Sequence, residues 1–204
     1  EELRRHSGRI FNRDERTTED YQILFIGKSG YGKSSTINAL TGHNAMQTSD
    51  IEACTKDAFT VEYSLNAQKT RYLSFCDLPG IAESEKTDNE YLALYENMLY
   101  HCFCIVYVLR ADMRDYTRDL ALFREKLSPY RARIVIAINC EDKAEPTSRE
   151  STDLTGEQID NLERKRSSVS QIFHMPKEQV IYYSARERIN LDALMHQIYN
   201  RMTI

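Results

Sequence analysis

Short apolar runs along the chain alternate with longer stretches in which apolar side chains recur every three or four residues. The apolar runs have the length of strands and lie at 21–26, 103–109, 133–138 and 180–183. The stretches with helical spacing lie at 91–99, 116–127, 159–173 and 191–202. This alternation predicts an α/β fold, an open and mostly parallel sheet with helices on both faces.

Two further β-rich runs, 58–65 and 71–76, are separated by the polar residues 66–69. Such a short polar connection is typical of a hairpin, whose strands are antiparallel. The sequence therefore predicts a three-layer sandwich with one antiparallel strand at the edge of its sheet.

The chain of 204 residues is long enough for one domain with a substantial core. Residues 1–20 mix five arginines with six acidic side chains and few apolar ones, which predicts an N-terminal arm. The folded domain is then expected to span 21–204.

Composition argues against several classes of function. A formal net charge of −4 provides no global attraction to nucleic acid or to anionic lipid. No stretch reaches the ~18 apolar residues of a membrane span. The five cysteines lack a CxxC spacing, which indicates reduced thiols in a cytoplasmic protein.

The most informative motif is Gly27-Lys28-Ser29-Gly30-Tyr31-Gly32-Lys33-Ser34-Ser35, which matches the phosphate-loop pattern. It follows a predicted strand and precedes a predicted helix, as that motif requires. Glycines let main-chain amides wrap a polyphosphate. Lys33 is expected to reach the β and γ phosphates, and Ser34 to hold Mg²⁺.

Three downstream residues fit the same chemistry. Thr55 lies in a polar loop where a threonine can close over the γ phosphate and complete the magnesium shell, with Thr48 and Thr41 as weaker candidates. Asp77 ends a predicted strand and opens Asp77-Leu78-Pro79-Gly80, so it is expected to hold Mg²⁺ through water. The Gly80 amide is expected to sense the γ phosphate.

A second short motif follows the predicted strand at 133–138. Asp142, in the run from Asn139 to Lys143, can accept two hydrogen bonds from guanine that adenine does not supply in that arrangement. The later loop of Ser184, Ala185 and Arg186 is expected to contact the base oxygen. Together these residues predict a guanine nucleotide site.

The phosphate loop, Thr55, DLPG at Asp77, N-x-x-D at Asn139 and SAR at Ser184 occur in that order. The chain thereby resembles the Era-like P-loop GTPases of the TrmE-Era-EngA-septin branch, and looks most like their small stand-alone bacterial members. The resemblance covers about residues 20–202.

The resemblance implies GTP or GDP and Mg²⁺ as ligands. It implies magnesium coordination by Ser34 and Thr55, with Asp77 acting through water. Catalysis would involve Lys33, Thr55 and Gly80. The nucleotide-binding residues it implies are Ser29, Gly30, Tyr31, Gly32, Lys33, Ser34, Ser35, Asn139, Asp142, Lys143, Ser184, Ala185 and Arg186.

Three positions depart from that family pattern. Cys140 replaces the lysine whose stem covers the base, which predicts lower nucleotide affinity unless the neighbouring Lys143 compensates. Gly30 stands where potassium-activated relatives carry asparagine. Ile81 stands where many signalling GTPases have the glutamine that orients the attacking water, so slow unaided turnover is expected.

These features predict a GTPase that acts as a molecular switch, with a nucleotide-dependent homodimer or another protein as its partner. One alternative is a nucleotide-dependent assembly or binding module in which hydrolysis is incidental. A second alternative, an ATPase or a small-molecule kinase, requires Asn139 and Asp142 to be a coincidence.

Overall fold

The fold was analysed in a computed structural model. The structure describes residues 4–7, 19–42, 58–80, 95–96, 98–140, 144 and 154–202. Its centre is a seven-stranded sheet in the order β1-β3-β4-β2-β5-β6-β7. The strands are β1 (Arg4–Ser7), β2 (Glu19–Ile26), β3 (Phe59–Ser64), β4 (Arg71–Asp77), β5 (Cys104–Arg110), β6 (Ile134–Asn139) and β7 (Val180–Tyr182).

The central strands are parallel, as their apolar runs predict. β2 pairs in parallel with both β4 and β5, and β5, β6 and β7 continue the parallel order. All six residues of β6 and the first six of β5 are buried. A strand covered on both faces needs apolar residues at every position, which explains these continuous runs.

The predicted hairpin is present, but its antiparallel strand does not form the sheet edge. β3 runs antiparallel to β4, and β1 adds outside it as a further antiparallel neighbour that places Arg4 opposite Glu62. Residues 4–7 therefore belong to the sheet. The structure confirms a mostly parallel sheet with β3 as its antiparallel strand, and β1 bonds to the main-chain groups that β3 would otherwise leave unpaired.

The helices are α1 (Lys33–Thr41), α2 (Thr117–Leu122), α3 (Gly156–Phe173) and α4 (Leu191–Met202). Residues 95–96 and 98–101 are also helical. α2 continues as a π-helix over Phe123–Leu127 and a 3₁₀ helix over Ser128–Arg133. The helical spacing predicted over 116–127 is thus confirmed, and proline is tolerated in the first turn of the 3₁₀ segment that follows.

α3 begins with a capping box. The Thr155 hydroxyl accepts from the Gln158 amide at 3.3 Å, and Gln158 Oε1 accepts from the Thr155 amide at 2.9 Å. Ile159, which helical spacing assigns to its apolar face, is 42% exposed, whereas Leu162 is buried.

Helices cover both faces of the sheet. On one face, Tyr107 of β5 packs against Phe123 and Phe173, whose rings meet edge to face at 5.3 Å. Cys104 lies on the opposite face, because side chains alternate along a strand, and it is near Arg201 of α4. The structure thus confirms a three-layer sandwich. None of the described helices is long and apolar enough to cross a membrane.

Candidate nucleotide site

The phosphate loop joins the end of β2 to the start of α1. Gly27 has a φ of 150°, and a Cβ at this position would lie 2.4 Å from the Val108 carbonyl oxygen. Gly32 has a φ of 92°, in the left-handed region that favours glycine. The loop is therefore held against β5 at a distance that only glycine allows, and its amides are arranged at the beginning of a helix.

Lys33 is the first residue of α1, and it is only 6% exposed. Its Nζ donates to the carbonyl oxygens of Gly27 at 3.0 Å and Lys28 at 3.2 Å. The ammonium group thus lies across the loop that begins with these two residues. A cation at this position can neutralise phosphate charge.

Ser34 and Asp77 are in contact, although they come from different parts of the chain. The Ser34 hydroxyl donates to Oδ2 of Asp77, which ends β4 and is 2% exposed. Among the residues the structure describes, Oδ1 of Asp77 has no hydrogen-bond partner. Burial raises the pKa of this carboxyl above its usual value, while the Lys33 ammonium and the Ser34 hydroxyl act in the opposite direction.

Asn139 connects the phosphate loop to the last loop of the site. Its Nδ2 donates to the Tyr31 carbonyl oxygen at 3.0 Å, and its Oδ1 accepts from the amides of Cys140 at 2.8 Å and Ala185 at 3.1 Å. A Cβ on Gly32 would lie 2.2 Å from Asn139 Nδ2. Asn139 therefore holds together three segments that the sequence analysis assigned to one site.

The loop of Ser184, Ala185 and Arg186 follows β7. Ser184 is buried and pairs with Ile189 through two main-chain hydrogen bonds, and its hydroxyl accepts from the Glu187 amide at 3.0 Å. Ala185 is buried beside Asn139, whereas the Arg186 side chain is 80% exposed. Ser184 and Ala185 are thus buried and hydrogen-bonded, and they hold this loop against the core.

Several predicted site residues lie outside the described part of the chain. They are Thr55, Asp142 and Lys143, together with the weaker candidate Thr48 and the departure at Ile81. Gly80 is described, and the residue before it is fixed because Tyr95 OH donates to the Pro79 carbonyl oxygen at 2.6 Å. Ser29 and Gly30 lie within the phosphate loop, and Ser35 lies in the first turn of α1.

Sequence reasoning missed other contacts around this site. Thr36 Oγ1 lies 2.7 Å from Tyr183 OH and donates to the Gly32 carbonyl oxygen at 2.7 Å, which joins α1 to the segment after β7. Lys28 forms an ion pair with Asp119 of α2. No motif links these positions, because each contact depends on how distant elements pack.

Comparison with known proteins agrees with this geometry. The family model described as 50S ribosome-binding GTPase matches residues 22–140. The uncharacterized protein YfjP of Escherichia coli is 34% identical over 165 residues, which is 80% of this chain and 56% of that protein. The uncharacterized protein YkfA of the same organism is 32% identical over 177 residues, which is 86% of this chain and 60% of that protein.

Solved structures show the same fold. Era of Aquifex aeolicus bound to GDP and aluminium fluoride has a TM-score of 0.69 at 19% identity, covering 90% of this chain and 57% of Era. Toc33 of Arabidopsis thaliana has a TM-score of 0.62 at 18% identity, covering 91% of this chain and 85% of Toc33.

A three-layer fold in which a phosphate loop lies beside a buried aspartate at the end of β4 and a buried asparagine at the end of β6 is that of a P-loop GTPase. The chain belongs to the 50S ribosome-binding GTPase family, in the TrmE-Era-EngA branch, whose members are GTP-hydrolysing enzymes. It spans about 60% of the length of the curated relatives YfjP and YkfA.

Proposed function

We propose that this protein is a molecular switch that binds GTP with Mg²⁺ and hydrolyses it slowly to GDP and phosphate. The observation that carries the proposal is the convergence of Lys33, Ser34 and Asp77 at the mouth of the phosphate loop. The loop amides and the Lys33 ammonium would bind the phosphate chain. The preference for GTP over ATP is proposed from the residues that would bind the base.

The magnesium assignment is supported by the donors themselves. Ser34 and Asp77 present hydroxyl and carboxylate oxygens, which hard divalent cations prefer. A buried carboxylate whose Oδ1 lacks a partner among the described residues is costly unless a cation or an ordered water meets it. Bound Mg²⁺ would neutralise charge on the β and γ phosphates. Ser34 would hold it directly, Asp77 through water, and Thr55 from the segment that precedes β3 in the sequence.

Base recognition is proposed for the residues that follow β6 and β7. Asn139 fixes the Tyr31 carbonyl and the Ala185 amide, so the two loops keep a constant spacing. Asp142 would accept hydrogen bonds from guanine, and Lys143 would cover the base. Ser184, Ala185 and Arg186 would close the other side of the base pocket.

Slow turnover is proposed because Ile81 has no hydrogen-bonding side chain with which to orient the attacking water. Thr55 and Gly80, the two residues proposed to contact the γ phosphate, lie in the polar segments 43–57 and 80–89 of the sequence. A γ phosphate that binds both residues would favour one arrangement of these two segments, and hydrolysis would release it.

The proposed output is a contact with a partner protein or with a second copy of the domain. For the chloroplast translocon components Toc33 and Toc159, which include a solved structure with this fold, dimerization is important for GTPase activity. A change of mass between GDP and a non-hydrolysable GTP analogue in size-exclusion chromatography would support such an output. An equal mass in both nucleotide states would show that the chain hydrolyses GTP without assembling with a second copy.

Residues 21–204 are proposed as the GTPase domain, with β1 as an addition to its sheet. A cytoplasmic setting is also proposed. It is supported by Cys76, Cys102 and Cys104, which are buried and form no disulfide.

Single-turnover hydrolysis of GTP, with and without Mg²⁺, tests the proposal. We expect slow hydrolysis that requires Mg²⁺, and at least ~10-fold weaker GTP binding for Lys33→Ala because a charge-assisted phosphate contact is lost. Lys126→Ala, which removes an exposed lysine, is the control and should behave like wild type. Hydrolysis that is rapid, or that does not depend on Mg²⁺, would contradict the proposal.

A further inference from the structure

The side chain of Lys28, the second residue of the phosphate loop, extends to the helix α2. Its Nζ lies 2.7 Å from Oδ2 of Asp119 on α2. The Asp119 side chain is fully buried, and the Lys28 side chain is 18% exposed. A charged contact between the phosphate loop and a helix of the neighbouring layer is thus enclosed within the fold.

The Asp119 carboxylate is itself held in place. Tyr107 OH, from the middle of β5, donates to its Oδ1 at 3.0 Å. Burial alone would lower the pKa of Lys28, but the adjacent Asp119 carboxylate raises it overall, so the ammonium remains charged. Lys28 Nζ also lies 5.7 Å from the centroid of the Tyr31 ring. The ammonium therefore has a fixed position behind the loop.

The main chain of Lys28 bears directly on the phosphate-binding lysine. Its carbonyl oxygen accepts from Lys33 Nζ at 3.2 Å and from the Tyr31 amide at 3.3 Å. Gly27, immediately before it, rests against the Val108 carbonyl. The orientation of one residue thus sets both the turn of the loop and one of the two carbonyls that hold Lys33.

A buried ion pair is a poor source of stability, because the desolvation of two charges offsets most of their attraction. The attachment of the α2 segment to the core is already provided by Phe123, which packs against Tyr107 and Phe173. The main effect of the pair is therefore expected on the position of the phosphate loop rather than on the free energy of unfolding.

We propose that Lys28 and Asp119 form a positioning pair that fixes the phosphate loop and, through the Lys28 carbonyl, the Lys33 ammonium that meets the terminal phosphates. This inference rests on the proposed function. Lys28 and Asp119 are positioning residues, since both act through Lys33. Loss of the pair should weaken GTP more than GDP, because GTP has the additional phosphate that Lys33 reaches.

The test is a double-mutant cycle with Lys28→Met, Asp119→Asn and both together, measured as affinity for GDP and for a non-hydrolysable GTP analogue. Each single variant should lose ~10-fold in affinity for the analogue, and the double variant should lose about as much as either one, because contacting residues are not additive. Lys28→Arg, which keeps the charge, should restore affinity to within about threefold of wild type. Asp119→Asn keeps the shape of the side chain and its hydrogen bond from Tyr107, so this variant removes only the negative charge.

Lys177→Met is the matched control. Lys177 also forms an ion pair, at 2.9 Å to Glu163, but it precedes β7 and lies at the opposite end of the strands from the loop. Thermal unfolding without nucleotide is measured in parallel. A purely structural pair would lower the unfolding temperature and leave the affinity of the folded protein unchanged, which would overturn the inference.

Two other results would also overturn it. In the first, wild type binds the analogue and the losses of the single variants multiply in the double variant. In the second, wild type does not bind the analogue, and then the proposed function fails together with the positioning role.

Discussion

The side chain of Asn139 donates to the main-chain oxygen of Tyr31 at 3.0 Å, although the two residues are 108 positions apart. The same side chain accepts from the Ala185 amide. One buried amide group therefore sets the distance between the loop that would hold phosphates and the loops that would hold the base. This relationship makes the site a single unit.

Replacing Asn139 with alanine should both destabilise the fold and weaken nucleotide binding. The Tyr31 oxygen and the Ala185 amide would lose a buried partner, at a cost of roughly 1–3 kcal/mol each in the free energy of unfolding. Denaturant unfolding and labelled-GDP titration measure the two effects.

Asn66→Ala is the control for Asn139→Ala. Asn66 also uses both ends of its amide, bonding to Thr70 and Arg71, but it lies in the exposed hairpin turn. It should lose some stability and keep wild-type affinity for GDP. Equal affinities for the Asn139 and Asn66 variants would contradict the role assigned to Asn139.

Gly32→Ala should abolish tight nucleotide binding. A Cβ would lie 2.2 Å from Asn139 Nδ2, in a backbone conformation with a φ of 92°, so either the loop or Asn139 would have to move. Gly42→Ala is the control, since Gly42 has a φ of 71° but no atom within 4 Å of a Cβ. That variant should cost about 1 kcal/mol of stability and leave affinity unchanged. Equal GDP binding by both variants would be inconsistent with a close approach at Gly32.

The thiol of Cys140 should react with alkylating reagents faster than the buried thiols, and GDP should slow that reaction. Burial raises the pKa of Cys76 and of Cys102 to about 12, which leaves each a thiolate fraction of ~10⁻⁴ at pH 8. Cys140 is half-buried and directly follows Asn139. Peptide mapping in a Cys54→Ser background measures the order of modification. Labelling of Cys140 that GDP does not slow would place the base elsewhere.

The strands and the phosphate loop were predictable because each is encoded locally. A run such as 134–138 is apolar at every position, which is the requirement of a strand covered on both faces. The glycines of the loop likewise mark main chain that other residues disfavour. In these segments the local residue types alone indicate the structure, so it can be predicted without knowing any distant contact.

Other features depend on partners far along the chain. β1 is the polar run Arg4–Ser7, which carries no apolar alternation and gains its order from pairing with β3. The pair of Lys28 with Asp119 and the bond of Tyr95 to the Pro79 carbonyl each join residues with no shared motif. Such contacts are consequences of packing, and sequence spacing does not reveal them.

Base selection provides a sharper prediction at Asp142. Xanthine has a carbonyl where guanine has its amino group, so Asp142→Asn should weaken GDP and favour xanthosine diphosphate, by ~10-fold or more in each direction. Competition between the two diphosphates measures the exchange of preference. Asp160→Asn, which removes an exposed carboxylate on α3, should keep the preference for GDP. An unchanged preference in Asp142→Asn would show that this residue does not contact the base.

The central claim is that one site binds the phosphates of a guanine nucleotide together with Mg²⁺ and selects its base. Titration of the purified chain with labelled GDP, labelled ADP and a labelled non-hydrolysable GTP analogue, each with and without Mg²⁺, tests it most directly. The account predicts saturable binding of GDP, at least ~10-fold weaker binding of ADP because its base offers the wrong hydrogen bonds, and tighter GTP-analogue binding when Mg²⁺ is present. Equal affinity for GDP and ADP would contradict it.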